Sequence, residues 1–188
     1  MRRAGFAGAL AAGLLLSGLA LSGCVGGTGT VDTGYVSGDG TVTTWSAEER
    51  GEPVEVSGSA FDGSAVDLAD FRGQVVLVNT WYAACPPCRA EAPDLVAIDE
   101  RADVQVVGVN GRDDAGTALA FERTFEVAYP TIDDQDGHAI AALQGLVALN
   151  AVPTTLVLDP EGRVAARIIG RADPSTLSAL VDEAAGSA

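Results

Sequence analysis

The 188-residue chain has no lysine, one histidine, one methionine, and only two Trp, three Tyr and five Phe. With 26 Asp and Glu against 11 Arg, the net charge is −15. That balance excludes nucleic acid as a partner, because phosphate binding is driven by clustered Lys and Arg. Three cysteines are too few for a disulfide framework. A structural zinc site would need two further Cys or His ligands beside a cysteine pair, and only His138 remains, so no metal is expected. What is present is a chain 47% hydrophobic, unlike a disordered polyanion, and long enough for one or two domains with an adequate core.

The cysteines divide into Cys24 alone and Cys85 with Cys88, and the two contexts suggest separate tasks. Arg2-Arg3 followed by an Ala/Gly/Leu run to Leu21 has the charged start and apolar core of a secretory signal. Leu21-Ser22-Gly23-Cys24 resembles the lipobox of bacterial lipoproteins, which implies cleavage after residue 23 and lipidation of Cys24. Removing residues 1–23 leaves nine arginines against 26 acids, a charge of −17. Anionic lipid would repel such a chain, so membrane attachment has to come from acyl chains. Residues 24–50, rich in Gly, Thr, Ser and Asp, read as a flexible tether with a reach of about 25–30 Å. Trp45, near its end, is expected to dock on the domain.

Residues 51–188 read as one α/β domain. Pro53–Val56 and Ala65–Leu68 alternate around Asp62-Gly63, predicting a hairpin. Val75–Trp81 and Val104–Val109 are β-branched runs suited to strands buried on both faces. Helices are expected from Pro86 to about Arg101, from Asp114 to Phe125 with Leu119, Phe121 and Phe125 inward, from Ala139, and from Pro174 onward. Thr154–Leu158 and Val164–Ile169 flank the turn Asp159-Pro160-Glu161-Gly162 as a closing hairpin. Asp133–Gly137 fails as a calcium loop, since Ile132 and Leu143 stand at ligand positions. His138 reads as a surface loop residue.

Trp81-Tyr82-Ala83-Ala84-Cys85-Pro86-Pro87-Cys88 joins a buried strand to a helix. With Cys85 at the N-cap, Cys88 falls at N3 on the same face, where residues lie about 5–6 Å apart and a disulfide can open and close. The helix N-terminus stabilises a thiolate at Cys85, while Cys88, one turn in, suits the resolving role. The spacing therefore points to redox catalysis over a zinc site or an inert disulfide.

From about Val54 to Ala185 the chain resembles thioredoxin-fold domains of the TlpA/ResA-like group, membrane-tethered thiol–disulfide oxidoreductases. The resemblance rests on Trp81-x-x-x-Cys85-x-x-Cys88, on Pro93 five residues later, and on Val152-Pro153-Thr154. It implies a mixed central sheet flanked by helices, with an N-terminal β-hairpin and an extra helix–strand segment at 110–132. It also implies a cis-Pro153 facing the disulfide, with Trp81, Pro86, Pro87, Val152, Pro153 and Thr154 forming the substrate-binding surface. Glu91 matches the acidic residue of the reductive members and would take the Cys88 proton. Asn79 stands where thioredoxins carry a buried Asp. Ala84 departs from the Trp common before the first cysteine.

The activity so implied is reduction of extracytoplasmic protein disulfides, often of apocytochrome c, with electrons from a membrane thiol donor and no cofactor. Disulfide oxidation or general redox homeostasis is the alternative direction. A copper-binding chaperone would use Cys-x-x-x-Cys and a distant His, which the spacing here and the context of His138 disfavour. A peroxidase would need a lone reactive cysteine after a Pro/Thr-containing loop, and none is found.

Overall fold

The computed structural model describes residues 41–147 and 151–186; Cys24 and the signal-like segment lie outside them. The alternation of buried side chains along the central strands sets the architecture. In β4 (Val75–Thr80), Val75 and Leu77 join Leu95, Ile98, Leu177 and Val181 on one face. Val76 and Val78 pack with Leu68, Ala139 and Leu143 on the other. A strand apolar on both sides needs cover on both sides. Helices α1 (Pro86–Asp99) and α4 (Pro174–Ala185) supply it on one face, and the short α3 (His138–Ala142) with residues 54–68 on the other.

The main sheet also contains β1 (Thr41–Thr44), β5 (Val104–Asn110), β6 (Thr131–Asp133), β7 (Thr154–Leu158) and β8 (Val164–Ile169), in the order β1-β8-β7-β4-β5-β6. β4, β5 and β6 run parallel, while β7, β8 and β1 are added antiparallel. This is the expected mixed sheet, and α2 (Ala115–Phe125) with β6 forms the expected extra segment. On α2 the fully buried positions are Ala118 and Phe121; Leu119 and Phe125 are only half-buried, so the inward stripe is narrower than the expected set. Helix α1 continues through Pro93 to Asp99.

Two expectations at the N-terminal side are corrected. Residues 41–50, read as the end of the tether, belong to the domain. β1 pairs with β8, and the Trp45 N–H donates to the Ala165 carbonyl at 2.9 Å. The Arg50 guanidinium, 2% exposed, meets the fully buried Asp159 carboxylate at 3.0 Å. Trp45 does dock, packing on the second core cluster beneath Arg167. The hairpin is shorter and displaced: β2 (Ser57–Ser59) pairs with β3 (Ala65–Asp67) around the Asp62-Gly63 turn, where Gly63 has φ +86°. Val54 and Val56 alternate because both are buried under the β7–β8 turn and the 68–71 segment, not because they pair in a sheet. The Val54 N–H donates to the Gly162 carbonyl, and the Leu68 N–H to the Val56 carbonyl.

Candidate active site

The parallel strand β4 delivers the chain at its C-terminal end to the start of α1, and the cysteine pair sits at that junction. Cys85 is the N-cap, with extended backbone (φ −76°, ψ 112°). Cys88 is bonded to it as a disulfide, with Cα atoms 5.3 Å apart. The Cys85 N–H donates to the Tyr82 carbonyl at 3.1 Å, which folds the 82–85 loop into a turn. The Cys85 sulfur accepts one N–H, from Cys88 at 3.2 Å. Pro86 and Pro87 fill the first two helical positions and have no N–H to offer. Both cysteines are buried, at 1% and 2% exposure, while Ala84, Pro86 and Pro87 stand exposed around them as a lip.

Across from the pair, the Val152–Pro153 peptide bond is cis, and the Val152 carbonyl oxygen lies 3.9 Å from the Cys85 sulfur. Thr154 behind it is fixed by its N–H to the Thr80 hydroxyl at 3.0 Å, and by its own hydroxyl to the Ala151 carbonyl at 2.6 Å. Val152, Pro153 and Thr154 are thus brought to the disulfide together, Val152 half-buried and the other two buried.

Glu91 lies on the buried face of α1, one turn beyond Cys88, at 1% exposure. Its oxygens do not bond Cys88, whose sulfur is engaged in the disulfide. Instead the Asn79 side-chain amide donates to Glu91 Oε1 at 2.9 Å and to the Thr155 hydroxyl at 3.0 Å, and the Ala172 N–H donates to Glu91 Oε2 at 3.2 Å. Burial pushes the Glu91 carboxyl up to about 7. The bonds from Asn79 and Ala172 and the nearby Arg171 charge oppose that rise without cancelling it. A carboxyl poised near neutrality has the proton affinity that a general base requires. The strand residue Asn79 positions this carboxylate in place of supplying one.

Trp81, which the resemblance places at the substrate surface and whose position reads as core packing under the site, is 4% exposed and packs beneath the pair. Its ring stacks on Phe121 at 4.3 Å, Phe121 contacts Phe125 at 4.5 Å, and the Arg89 guanidinium covers Phe125 at 4.9 Å. These residues form a small core of their own with Cys85, Cys88, Ala92 and Ala118. Trp81 also lines, with Val109, Ile140, Val147 and Val152, a cleft of about 270 Å³ next to the disulfide.

Motif reading missed the residues that hold the loop before Cys85. Asp113 Oδ2 accepts the Ala83 N–H at 2.6 Å and the Asn110 side-chain amide at 2.9 Å. Arg89 donates to the Ala83 carbonyl at 3.3 Å, and Arg112 lies 4.5 Å over the Tyr82 ring. These partners are up to 30 positions away in sequence, and no local spacing signals them. His138 is exposed, with its Nδ1 3.3 Å from the Asp136 carboxylate.

A family model, the AhpC/TSA family, matches residues 52–167. The thiol:disulfide interchange protein HelX of Rhodobacter capsulatus is 30% identical over 116 residues, 62% of each chain. The thiol-disulfide oxidoreductase ResA of Bacillus subtilis is 27% identical over 112 residues, 58% of this chain and 60% of that one. The matches therefore span about 60% of these curated relatives' length. Among solved structures, a secreted thiol-disulfide isomerase from Corynebacterium glutamicum superposes with a TM-score of 0.72 at 29% identity, covering 76% of this chain and 90% of that one. A thioredoxin-like sheet, a Cys-x-x-Cys pair at a helix start and a cis-proline loop facing it are all in place, and by the family match across them this chain belongs to the AhpC/TSA family.

Proposed function

We propose that the protein is an extracytoplasmic thiol–disulfide oxidoreductase, lipid-anchored through Cys24, that reduces protein disulfides. The observation that carries this reading is the cysteine pair itself, closed at a helix N-cap against an accessible strand-like edge at Val152. In the reduced protein, the Cys85 thiolate attacks a partner disulfide. A Cys85–partner disulfide forms, and the first partner sulfur leaves as a thiol after taking a proton. Cys88 then gives its proton to Glu91 and attacks the Cys85 sulfur. The internal disulfide closes and the second partner thiol is released. A membrane dithiol returns the two electrons. An extended partner segment pairs with the Val152 backbone, and the adjoining cleft takes a neighbouring partner side chain. Apocytochrome c is the protein substrate implied by resemblance.

Cys88→Ser removes the resolving thiol, so the mixed disulfide should accumulate in cells as a higher-mass species that reductant dissolves. Recovery of the Ser variant free of any disulfide-linked partner, alongside unimpaired exchange, would rule the reading out.

The two prolines favour the reducing direction of transfer. One N–H reaches the Cys85 sulfur, from the third helical position, so its thiolate is less stabilised than in a site whose second position also has an N–H to donate. Less stabilisation of the reduced form makes a more reducing couple. The potential should lie below that of glutathione. Pro87→Gly, which restores an N–H at the second helical position, should raise it by up to about 30 mV, since one hydrogen bond contributes roughly 0.5–1.5 kcal/mol and 1.4 kcal/mol is about 30 mV for two electrons. A strongly oxidising pair in a defined thiol buffer would favour the opposite direction of electron flow.

A further inference from the structure

Glu91 is shut in, but the segment between β8 and α4 that touches its carboxyl is not. The Ala172 N–H donates to Glu91 Oε2 at 3.2 Å, so the backbone of the preceding residue, Arg171, abuts the carboxyl. The Arg171 guanidinium reaches α1 and meets the Asp94 carboxylate at 3.3 Å, the two side chains being 40% and 27% exposed. Asp94 stands three residues after Glu91 on α1, and residues so spaced have Cβ atoms about 5–6 Å apart on one face. Asp94 thus holds Arg171 beside the buried carboxyl. One donor of Arg171 is left over: its Nε is buried with no acceptor among the described residues.

The groups that face Glu91 come from each element packed on it. From α1 these are Cys88, closed in the disulfide, and Asp94. From β4 it is Asn79, neutral and tied to Thr155 of β7. From the segment before β6 it is Tyr129, whose hydroxyl is kept neutral by burial. From the segment after β8 it is Arg171. The charges acting on Glu91 are therefore one of each sign, Arg171 favouring the ionised carboxylate and Asp94 opposing it. We propose that Arg171 and Asp94 are positioning residues for the resolving step, a charge pair at the outer side of Glu91 that sets the pH at which it accepts the Cys88 proton. This rests on Glu91 acting as the base in the function proposed above. As Glu91 ionises, the spare Nε–H of Arg171 is free to turn toward the new charge, while Asp94 competes for the same guanidinium. Removing one partner therefore has the opposite effect to removing the other.

The Glu91 carboxyl can be followed by NMR of isotope-labelled glutamate in the oxidised protein, where Cys85 and Cys88 hold no titrating proton, with Glu91→Gln assigning the signal. Arg171→Gln leaves Asp94 unopposed and should move the midpoint up by about 0.5 pH unit; Asp94→Asn frees Arg171 and should move it down by about as much. Arg171→Lys keeps the charge and should stay near the parent, and the double variant Arg171→Gln with Asp94→Asn should fall between the two singles. In the reduced protein the pH profile of exchange with a disulfide-bonded peptide should move with the carboxyl. At pH 6, below the parent midpoint of about 7, the rate should fall about threefold in Arg171→Gln and rise in Asp94→Asn. Midpoints that shift in the same direction in both singles, or in neither, overturn the proposal, because a merely structural contact has no sign. A carboxyl that moves as expected over an unchanged rate profile also overturns control of the resolving step, and it places the failure in Glu91 as the base and not in the pair that acts on it.

Discussion

Glu91→Gln should make the oxidised protein about 3 kcal/mol more stable than the parent at pH 8, and nearly equal to it at pH 4. The Glu91 carboxyl ionises near 4.5 when unfolded, whereas burial holds it at about 7 in the fold. Below 4.5 both states hold the proton and the folded protein has its full stability. Between 4.5 and about 7 the unfolded chain releases the proton while the folded one keeps it, so stability falls with rising pH. Above 7 the loss is complete, at about 1.4 kcal/mol for each pH unit between the two values. Every other titrating group is common to the two proteins, so the difference between their urea midpoints across pH isolates Glu91. The Asn79 amide can turn to present its oxygen to Gln, which limits the cost of the substitution.

The same change should lower the resolving step roughly a hundredfold, because general-base catalysis contributes about 10²–10⁴. It should also remove the rise in exchange rate through pH 7 that Glu91 is expected to give the parent. A pH-independent stability difference, or an unaltered rate profile, would remove Glu91 from the mechanism.

Asp159→Ala should cost about 3–5 kcal/mol and lower the melting temperature by about 10 °C, although it lies in the β7–β8 turn, outside the active site. Asp159 is fully buried, and burial by itself would raise its carboxyl. The Arg163 N–H at 2.8 Å, Arg50 at 3.0 Å and the Arg163 side chain at 2.9 Å outweigh that and keep it ionised. Removing it strands the buried Arg50 charge, and an unpaired buried charge is far costlier than an absent pair. The double substitution Arg50→Met with Asp159→Leu should therefore recover most of the loss. A cost under about 1 kcal/mol for Asp159→Ala would mean that this corner is wetter than its packing implies. Because Arg50 and β1 belong to the domain, removal of the chain up to and including Arg50 should carry a comparable penalty.

The parts legible in the sequence are those encoded locally. β4, β5, β7 and β8 are short, mostly apolar runs rich in Val, Ile, Thr and Leu, and the Cys-Pro-Pro-Cys spacing fixes N-cap and N3 without reference to anything distant. β1 was not legible, since Thr-Val-Thr-Thr within a Gly- and Ser-rich stretch becomes a strand only through its pairing with β8. Its lock, Arg50 to Asp159, spans 109 positions. Glu91 was found by position, but its partners were not: Asn79 and Ala172 approach it from 12 and 81 residues away. The Asp113 clamp on Ala83 is of the same kind. Side chains that act through distant partners leave no periodic trace.

The near-complete burial of Cys85 separates how far the couple is driven from how fast it equilibrates. A small thiol in bulk has to reach the sulfur past Ala84, Pro86 and Pro87 with nothing to hold it there. A partner strand seated on Val152 arrives already aligned, and orientation of that kind contributes orders of magnitude to rate. On the proposed function, such a partner would exchange with the pair faster than small thiols do, so a thiol buffer has to be given longer to reach equilibrium with it.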